Sequence, residues 1–264
     1  MSNPPSPSRS HGRKSIAASR KPRDLMGGSD SLVRAWRAQV ITLFPGAFPG
    51  VLGESVTGKA LREGIWQLDP IDLRPFGIGK HRNVDDTPAG GGAGMVMRAD
   101  VMSAAIDVAL ARNPKDAPLL YLSPRGMPFT QDKAQELADG PGVSLICGRF
   151  EGLDQRVIDH YEIEEVSLGD FVMTGGEIAA QALIDACVRL LPGVLGNETS
   201  TEEESFSDGL LEHPQYTRPA EWNGLTIPDV LQSGHHGEIA KWRREKREAL
   251  TLARRPDLKR NAKK

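Results

Sequence analysis

The stretch Val143-Ser144-Leu145-Ile146-Cys147-Gly148-Arg149-Phe150-Glu151-Gly152 decides the fold. An apolar run of strand length passes straight into a glycine-rich loop. The same arrangement occurs twice more. Ile163-Glu164-Glu165-Val166-Ser167-Leu168 runs into Gly169-Asp170-Phe171-Val172-Met173-Thr174-Gly175-Gly176-Glu177, and Leu119-Leu120-Tyr121-Leu122 runs into Ser123-Pro124-Arg125-Gly126. Glycine after a strand lets backbone approach a ligand or take positive φ. Any one of these loops alone reads as a tight turn. Three after successive strands mark the edge of an open α/β sheet where ligands bind. Acidic groups inside two of them, Glu151 and Asp170, point toward a cofactor site.

Outward from this stretch, the chain reads as alternating strands and helices, which predicts an α/β fold with a mostly parallel sheet. Residues 40–44 read as the first strand, 51–64 as helical and 71–74 as a second strand. The polar, glycine-rich segment 79–94 is too long for an ordinary connection and is a candidate functional loop. Asp100 is expected to cap a helix running to Arg112, with Val101, Ala104, Ala105 and Val108 on its apolar face. Another helix is expected over 176–191, with Ile178, Leu183, Ile184 and Val188 inward, stopped by Pro192-Gly193. The predicted organisation is a disordered extension over 1–36, a main domain over 37–196, a flexible linker over 197–207 and a small helical domain over 208–264. The last clear helix starts near Glu238 and places Ile239, Trp242, Ala249 and Ala253 at helical spacing.

Composition excludes several classes. With 264 residues, 39% of them apolar, the chain can bury a real core. Net charge is −2, so nucleic-acid binding must rest on a local patch. The two cysteines, Cys147 and Cys187, are far apart and lack CxxC spacing, which argues for a reducing, cytoplasmic setting without a disulfide framework. No apolar run approaches the roughly 20 residues of a membrane span. Residues 1–35 are rich in Ser, Pro and Arg. They fit a disordered extension or a translation start assigned too early. A transit peptide is a further reading, though scattered prolines argue against its amphipathic helix.

Several motifs need weighing. Gly53-Glu54-Ser55-Val56-Thr57-Gly58-Lys59-Ala60 approaches a P-loop, but Ala60 stands where a magnesium-binding hydroxyl belongs. A chance match inside a helix–turn–helix connection explains it better. His235-His236 has no third ligand and reads as a helix start. His81-Arg82-Asn83-Val84-Asp85-Asp86 ahead of Gly90-Gly91-Gly92-Ala93-Gly94 is either a hydrophilic loop or a polar ligand contact. Tyr216-Thr217-Arg218-Pro219 reads as a turn with an exposed cation. Lys241, Arg243, Arg244, Lys246 and Arg247 crowd the last helix, joined by Lys259, Arg260, Lys263 and Lys264. Such a run is usually a solvated face, but it also suits an RNA backbone. Arg189, in an apolar helix, is either a structural ion pair or a functional cation.

These blocks, taken in order, resemble a known family. Residues 122–126, 147–152, 168–177 and 192–196 match it, as do 81–86, 90–95, 216–219 and 233–235. The chain is similar to the bacterial tRNA (guanine-37 N1)-methyltransferases, the TrmD family of the SPOUT class, over about 39–258. The resemblance implies a deep trefoil knot, a small α-helical C-terminal domain and a homodimer with its active site between subunits. It implies S-adenosyl-L-methionine held by Leu122, Ser123, Pro124, Gly126, Gly148, Glu151, Leu168, Gly169, Asp170, Phe171, Val172, Met173, Gly175 and Gly176. Contacts to a tRNA with G at position 37 are expected at Asp85, Arg189, Arg218, Lys241 and Arg244. Magnesium use is implied as well, without a dedicated protein cage.

The chemistry sets its own requirements. Guanine N1 is protonated at neutral pH, so attack on a sulfonium methyl needs a base. Charge then builds toward O6 and calls for a cation. By resemblance Arg189 is that cation, and the base falls at Glu204, ahead of Ser205-Phe206. The family usually has Asp there, so Glu204 departs by one methylene. Phe150 and Phe171 also replace common tyrosines. Two rival readings follow: a non-catalytic RNA-binding relative, and a nucleotidase built on residues 53–59.

Overall fold

A computed structural model describes residues 35–114, 116–196 and 204–261. The extension expected over 1–36 and most of the expected linker, including Glu202 and Glu203, lie outside the described residues.

Five strands form the main sheet: β1 Trp36–Thr42, β2 Trp66–Asp72, β5 Leu119–Pro128, β6 Gly142–Cys147 and β7 Glu164–Ser167. Their order is β2-β1-β6-β5-β7, and every pairing is parallel. Two-residue strands β3 Asp85–Asp86 and β4 Val96–Met97 pair separately. The strands begin earlier than the sequence suggests: β1 starts at Trp36 and β2 at Trp66. In both cases the buried tryptophan, which supplies the apolar start, lies ahead of the aliphatic run.

Period-2 alternation sorts side chains to the two faces. Val40, Leu120, Leu122, Leu145 and Cys147 enter one core, under α3 Gln131–Asp139 and α5 Glu177–Val188. Ile41, Tyr121 and Ile146 enter the other, under α2 Ala99–Arg112 and α4 Gln155–His160. Because helices cover both faces, β6 is buried along its whole length. Ser144, buried in the middle of β6, donates to Gln39 Oε1 at 2.9 Å and accepts from Asn113 Nδ2 at 2.7 Å.

Three expectations need correction here. Asp100 does not cap α2. Arg98 occupies that position, and Asp100, in the first turn, pairs with it. The buried face of α2 is Val101, Met102, Ala105, Ile106 and Ala109, while Ala104 is exposed. Bulkier Met102 and Ile106 set the angle. On α5, Leu183, Ile184 and Val188 are buried as expected, but Ile178 is 67% exposed and Ala179 and Ala180 take its place inside.

The C-terminal elements are a small hairpin, β8 Glu221–Trp222 with β9 Leu225–Thr226, then α6 Asp229–Gln232, α7 His236–Arg254 and α8 Pro256–Asn261. The two histidines do mark the start of α7. Trp242 is half-buried and meets His213 and Tyr216 edge-on. Ala249 and Ala253 are exposed, and Thr251 packs inward instead, accepting from Leu211 N at 2.8 Å. Arg247 is not part of a free basic face, because it pairs with Asp208.

Both cysteines are free and buried. Burial pushes the Cys147 thiol well up, and Cys187 up to about 12. A thiol whose folded pKa is raised stabilises fully below its unfolded value, about 8.5. That contribution is lost as pH rises beyond it toward the folded pKa. Stability should therefore fall between about pH 8.5 and 12, by on the order of 1 kcal/mol per thiol per pH unit. Urea midpoints at successive pH values should show this decline, and a shallower one in Cys187→Ala.

Candidate active site

Three loops meet at one end of the sheet. The first is not a loop at a strand end. Between Leu122 and Met127, β5 bulges away and then rejoins β7. Gly126 permits the return: a Cβ there would sit 2.3 Å from Val166 N. Its role is backbone approach within the sheet. The second loop follows β6, with Phe150 at φ 59° at its apex. The third follows β7 and turns back beside the second, where Gly176 N donates to Gly148 O at 3.0 Å.

The loops enclose a cavity of about 320 Å3. Most of the residues expected to hold a cofactor line it: Leu122, Ser123, Pro124, Gly148, Glu151, Leu168, Gly169, Phe171, Val172, Met173, Gly175 and Gly176. Gly126 and Asp170 do not. Phe150, Phe171 and Val172 are exposed at the mouth, at 52%, 54% and 83%. The lining mixes apolar side chains and exposed loop backbone with one carboxylate, Glu151, and two guanidinium groups, Arg125 and Arg149, which suits a small ligand with a flat ring and charges of both signs. The volume falls at the lower end of the roughly 300–1,000 Å3 usual for such sites.

Arg149 was missed by the sequence reading. Its guanidinium donates to Glu177 Oε2 at 2.7 Å and to Thr174 O at 3.2 Å, and stacks over Phe44 at 4.4 Å. It lies flat on Gly175, where a Cβ would fall 2.2 Å from Nε. Glu177, 5% exposed, also accepts from Thr42 Oγ1 at 2.8 Å. This chain fastens the end of β1, the second loop and the third loop to one another. The available signal was a Glu directly after Gly175-Gly176, since a buried carboxylate at a helix start needs a partner.

Arg189 and Glu204 form a direct ion pair, each a little under a third exposed. Arg189 ends α5 rather than sitting inside it, where a cation also favours the helix dipole. Ala179 on the same helix lines the cavity. At 1.5 Å rise per residue, the ten-residue step from Ala179 to Arg189 puts Arg189 about 15 Å away along the helix.

Other candidates are dispersed. Asp85 pairs with Met97 in the β3–β4 ribbon and is half-buried. Its neighbour Asp86 instead faces a wider depression of about 890 Å3, with Pro88, Ala89, Arg98 and Arg156. Arg218, Lys241 and Arg244 are exposed, Arg244 beside Glu248. Lys259 and Arg260 have no described side chains, and Lys263 and Lys264 lie outside the described residues. The P-loop-like segment is a 3-10 turn over Gly50–Gly53 followed by helix α1 Ser55–Arg62 with Glu54 at its N-cap. A carboxylate there repels phosphate. Among the described residues, no group of three or more His, Cys, Asp and Glu could hold a metal ion, and magnesium finds no support. No described helix is long and apolar enough to cross a membrane.

Comparison with known proteins gives the family. The family model described as tRNA (Guanine-1)-methyltransferase TrmD matches residues 36–261. The chain belongs to the TrmD family. It is therefore a methyltransferase. A curated TrmD-family relative from Ruegeria pomeroyi is 70% identical over 223 residues, covering 84% of this chain and 92% of the relative. One from Ruegeria sp. (strain TM1040) is 66% identical over 233 residues, covering 88% and 96%. Another, from Bradyrhizobium diazoefficiens, is 62% identical over 225 residues, covering 84% and 88%. All three are described as tRNA (guanine-N(1)-)-methyltransferase.

Proposed function

We propose that this chain transfers a methyl group from S-adenosyl-L-methionine to N1 of guanosine-37 in tRNA, next to the anticodon. The observation that carries the reading is the pairing of Arg189 with Glu204. A base and a cation are the two groups the reaction demands, and the fold sets them side by side although fifteen residues separate them in sequence. When bound, the methyl donor supplies an activated sulfonium methyl. Glu204 accepts the N1 proton of guanine, and Arg189 turns from the carboxylate to O6 as charge develops there. Glu151 offers a carboxylate to the donor's positive charge. Leu122, Phe171, Val172 and Met173 flank its ring, and the cavity backbone fixes its orientation.

The separation of about 15 Å between pair and cavity along α5 supports a homodimer. A second copy would bring its own Arg189 and Glu204 to the first copy's cavity, so the active site would lie between subunits. The close return of the third loop beside the second supports a trefoil knot. Residues 37–196 are the donor-binding domain and 208–264 a helical tRNA-binding domain, with Arg218, Lys241 and Arg244 facing phosphates. Free buried thiols fit the cytoplasm.

Labelled S-adenosyl-L-methionine, offered to transcripts with G at 36 and 37 and to transcripts lacking G37, tests the reading. Label should enter only the first. Equal transfer to both, or none, overturns it.

A further inference from the structure

The β8–β9 hairpin carries two bare apolar side chains. Trp222 is 64% exposed and Leu225 68%. They stand directly opposite each other across the ribbon. Opposed residues hold their Cβ atoms about 5 Å apart on one face, so the two apolar side chains share one face of the ribbon. Asn223 and Gly224 make the turn at φ 52° and 77°, the left-handed pair of a type I′ hairpin. The base of the ribbon is fixed. Ile227 N donates to Ala220 O, and Gln232 Nε2 donates to Ile227 O, both at 3.0 Å. An aromatic face is thus presented on a pre-formed support, and its ordering entropy is already spent.

Size and charge indicate the occupant. A Trp–Leu tip offers a few hundred Å2 at most, whereas a stable protein interface buries about 1,200 Å2 or more. The face of one nucleobase is commensurate with it. Residues 208–264 hold twelve Lys and Arg against eight Asp and Glu, in a chain of net charge −2. Exposed Arg218 lies four residues before Trp222, and Lys241 and Arg244 are exposed on α7. An aromatic platform beside cations is how proteins hold unpaired nucleotides.

We propose that Trp222 stacks on an unpaired base of the tRNA substrate, with Leu225 on the same face of the ribbon and the exposed cations of residues 208–264 on its phosphates. The proposal rests on the tRNA reading above and adds a nucleotide contact to it. Loss of one such stack weakens binding about 5- to 150-fold.

The test uses full-length protein and the G37 transcript, with an RNA duplex as control. Binding the transcript should quench tryptophan emission, since Trp36 and Trp66 are buried and Trp222 is the most exposed of the four. Trp222→Phe should lose most of that quench yet keep near-normal affinity. Trp222→Ala should raise the KM for tRNA about 5- to 150-fold, leaving kcat and the donor KM unchanged. The duplex should give no quench that depends on Trp222. If wild type binds no transcript, the tRNA reading fails and this proposal with it. If wild type binds and Trp222→Ala binds equally well, stacking alone is overturned. A change of oligomeric mass in Trp222→Ala also overturns it, because the tip would then be a protein contact.

Discussion

Glu204→Gln should lower kcat by about 10^2- to 10^4-fold, the usual contribution of a positioned general base. Donor affinity should change little, because the three loops that line the donor cavity do not include Glu204. Arg189→Ala should lower kcat comparably. The double variant should be little worse than either single one, since paired residues act as a unit. Single-turnover transfer to the G37 transcript, with donor binding measured alongside, checks all three. Glu204→Asp decides what the extra methylene does. Glu204 reaches Arg189 in this structure, so the longer side chain fits its surroundings. Shortening it should therefore slow transfer, and a large gain in rate would show instead that the native residue is compromised.

The second large effect is expected at the Arg149–Glu177 pair. Glu177→Ala leaves a mostly buried guanidinium with only Thr174 O as a polar partner and takes from Thr42 Oγ1 its acceptor, leaving it only the bond it accepts from Phe44 N. Breaking one side of a buried pair costs about 3 kcal/mol or more. For a chain of this size that lowers Tm by about 10 °C. Donor affinity should fall as well, because the pair fastens two of the three cavity loops. Replacing both residues together with Arg149→Met and Glu177→Leu should recover part of the stability but not the donor affinity. Thermal melting and titration calorimetry with S-adenosyl-L-methionine would separate these losses.

Much of this was legible in the sequence. Strand runs followed by glycine loops announced the parallel sheet and the three loops of the cavity, because backbone approach leaves its mark in glycine, while the individual lining residues were named by resemblance. Less legible was whatever depends on contacts between distant segments. Asp100 looked like a helix cap because Asp commonly is one, yet Arg98 alongside drew its carboxylate into an ion pair. Ile178 looked buried by periodicity, but small Ala179 and Ala180 pack closer to the sheet. Gly126 matched a cofactor motif, while its own reason for being glycine is the passage of β7. Arg149 had no local signature, because its partners come from Thr174 and Glu177 in another loop. Glu204 and Arg189 were identifiable by resemblance, and their meeting is a property of the tertiary fold alone.

The bulge in β5 has a consequence for how the cavity can breathe. Leu122 pairs with β7 on one side of the bulge and Met127 on the other, so that wall is stitched into the sheet at both ends. It can yield only if the sheet yields. The third loop, from Gly169 to Gly175, is held by few hydrogen bonds beyond the Arg149 contact with Thr174. Segments so tethered open at lower free energy than core strands. The cavity thus works as a hinged clamp with one immovable jaw, and traffic of small molecules in and out must pass on the side that Arg149 latches.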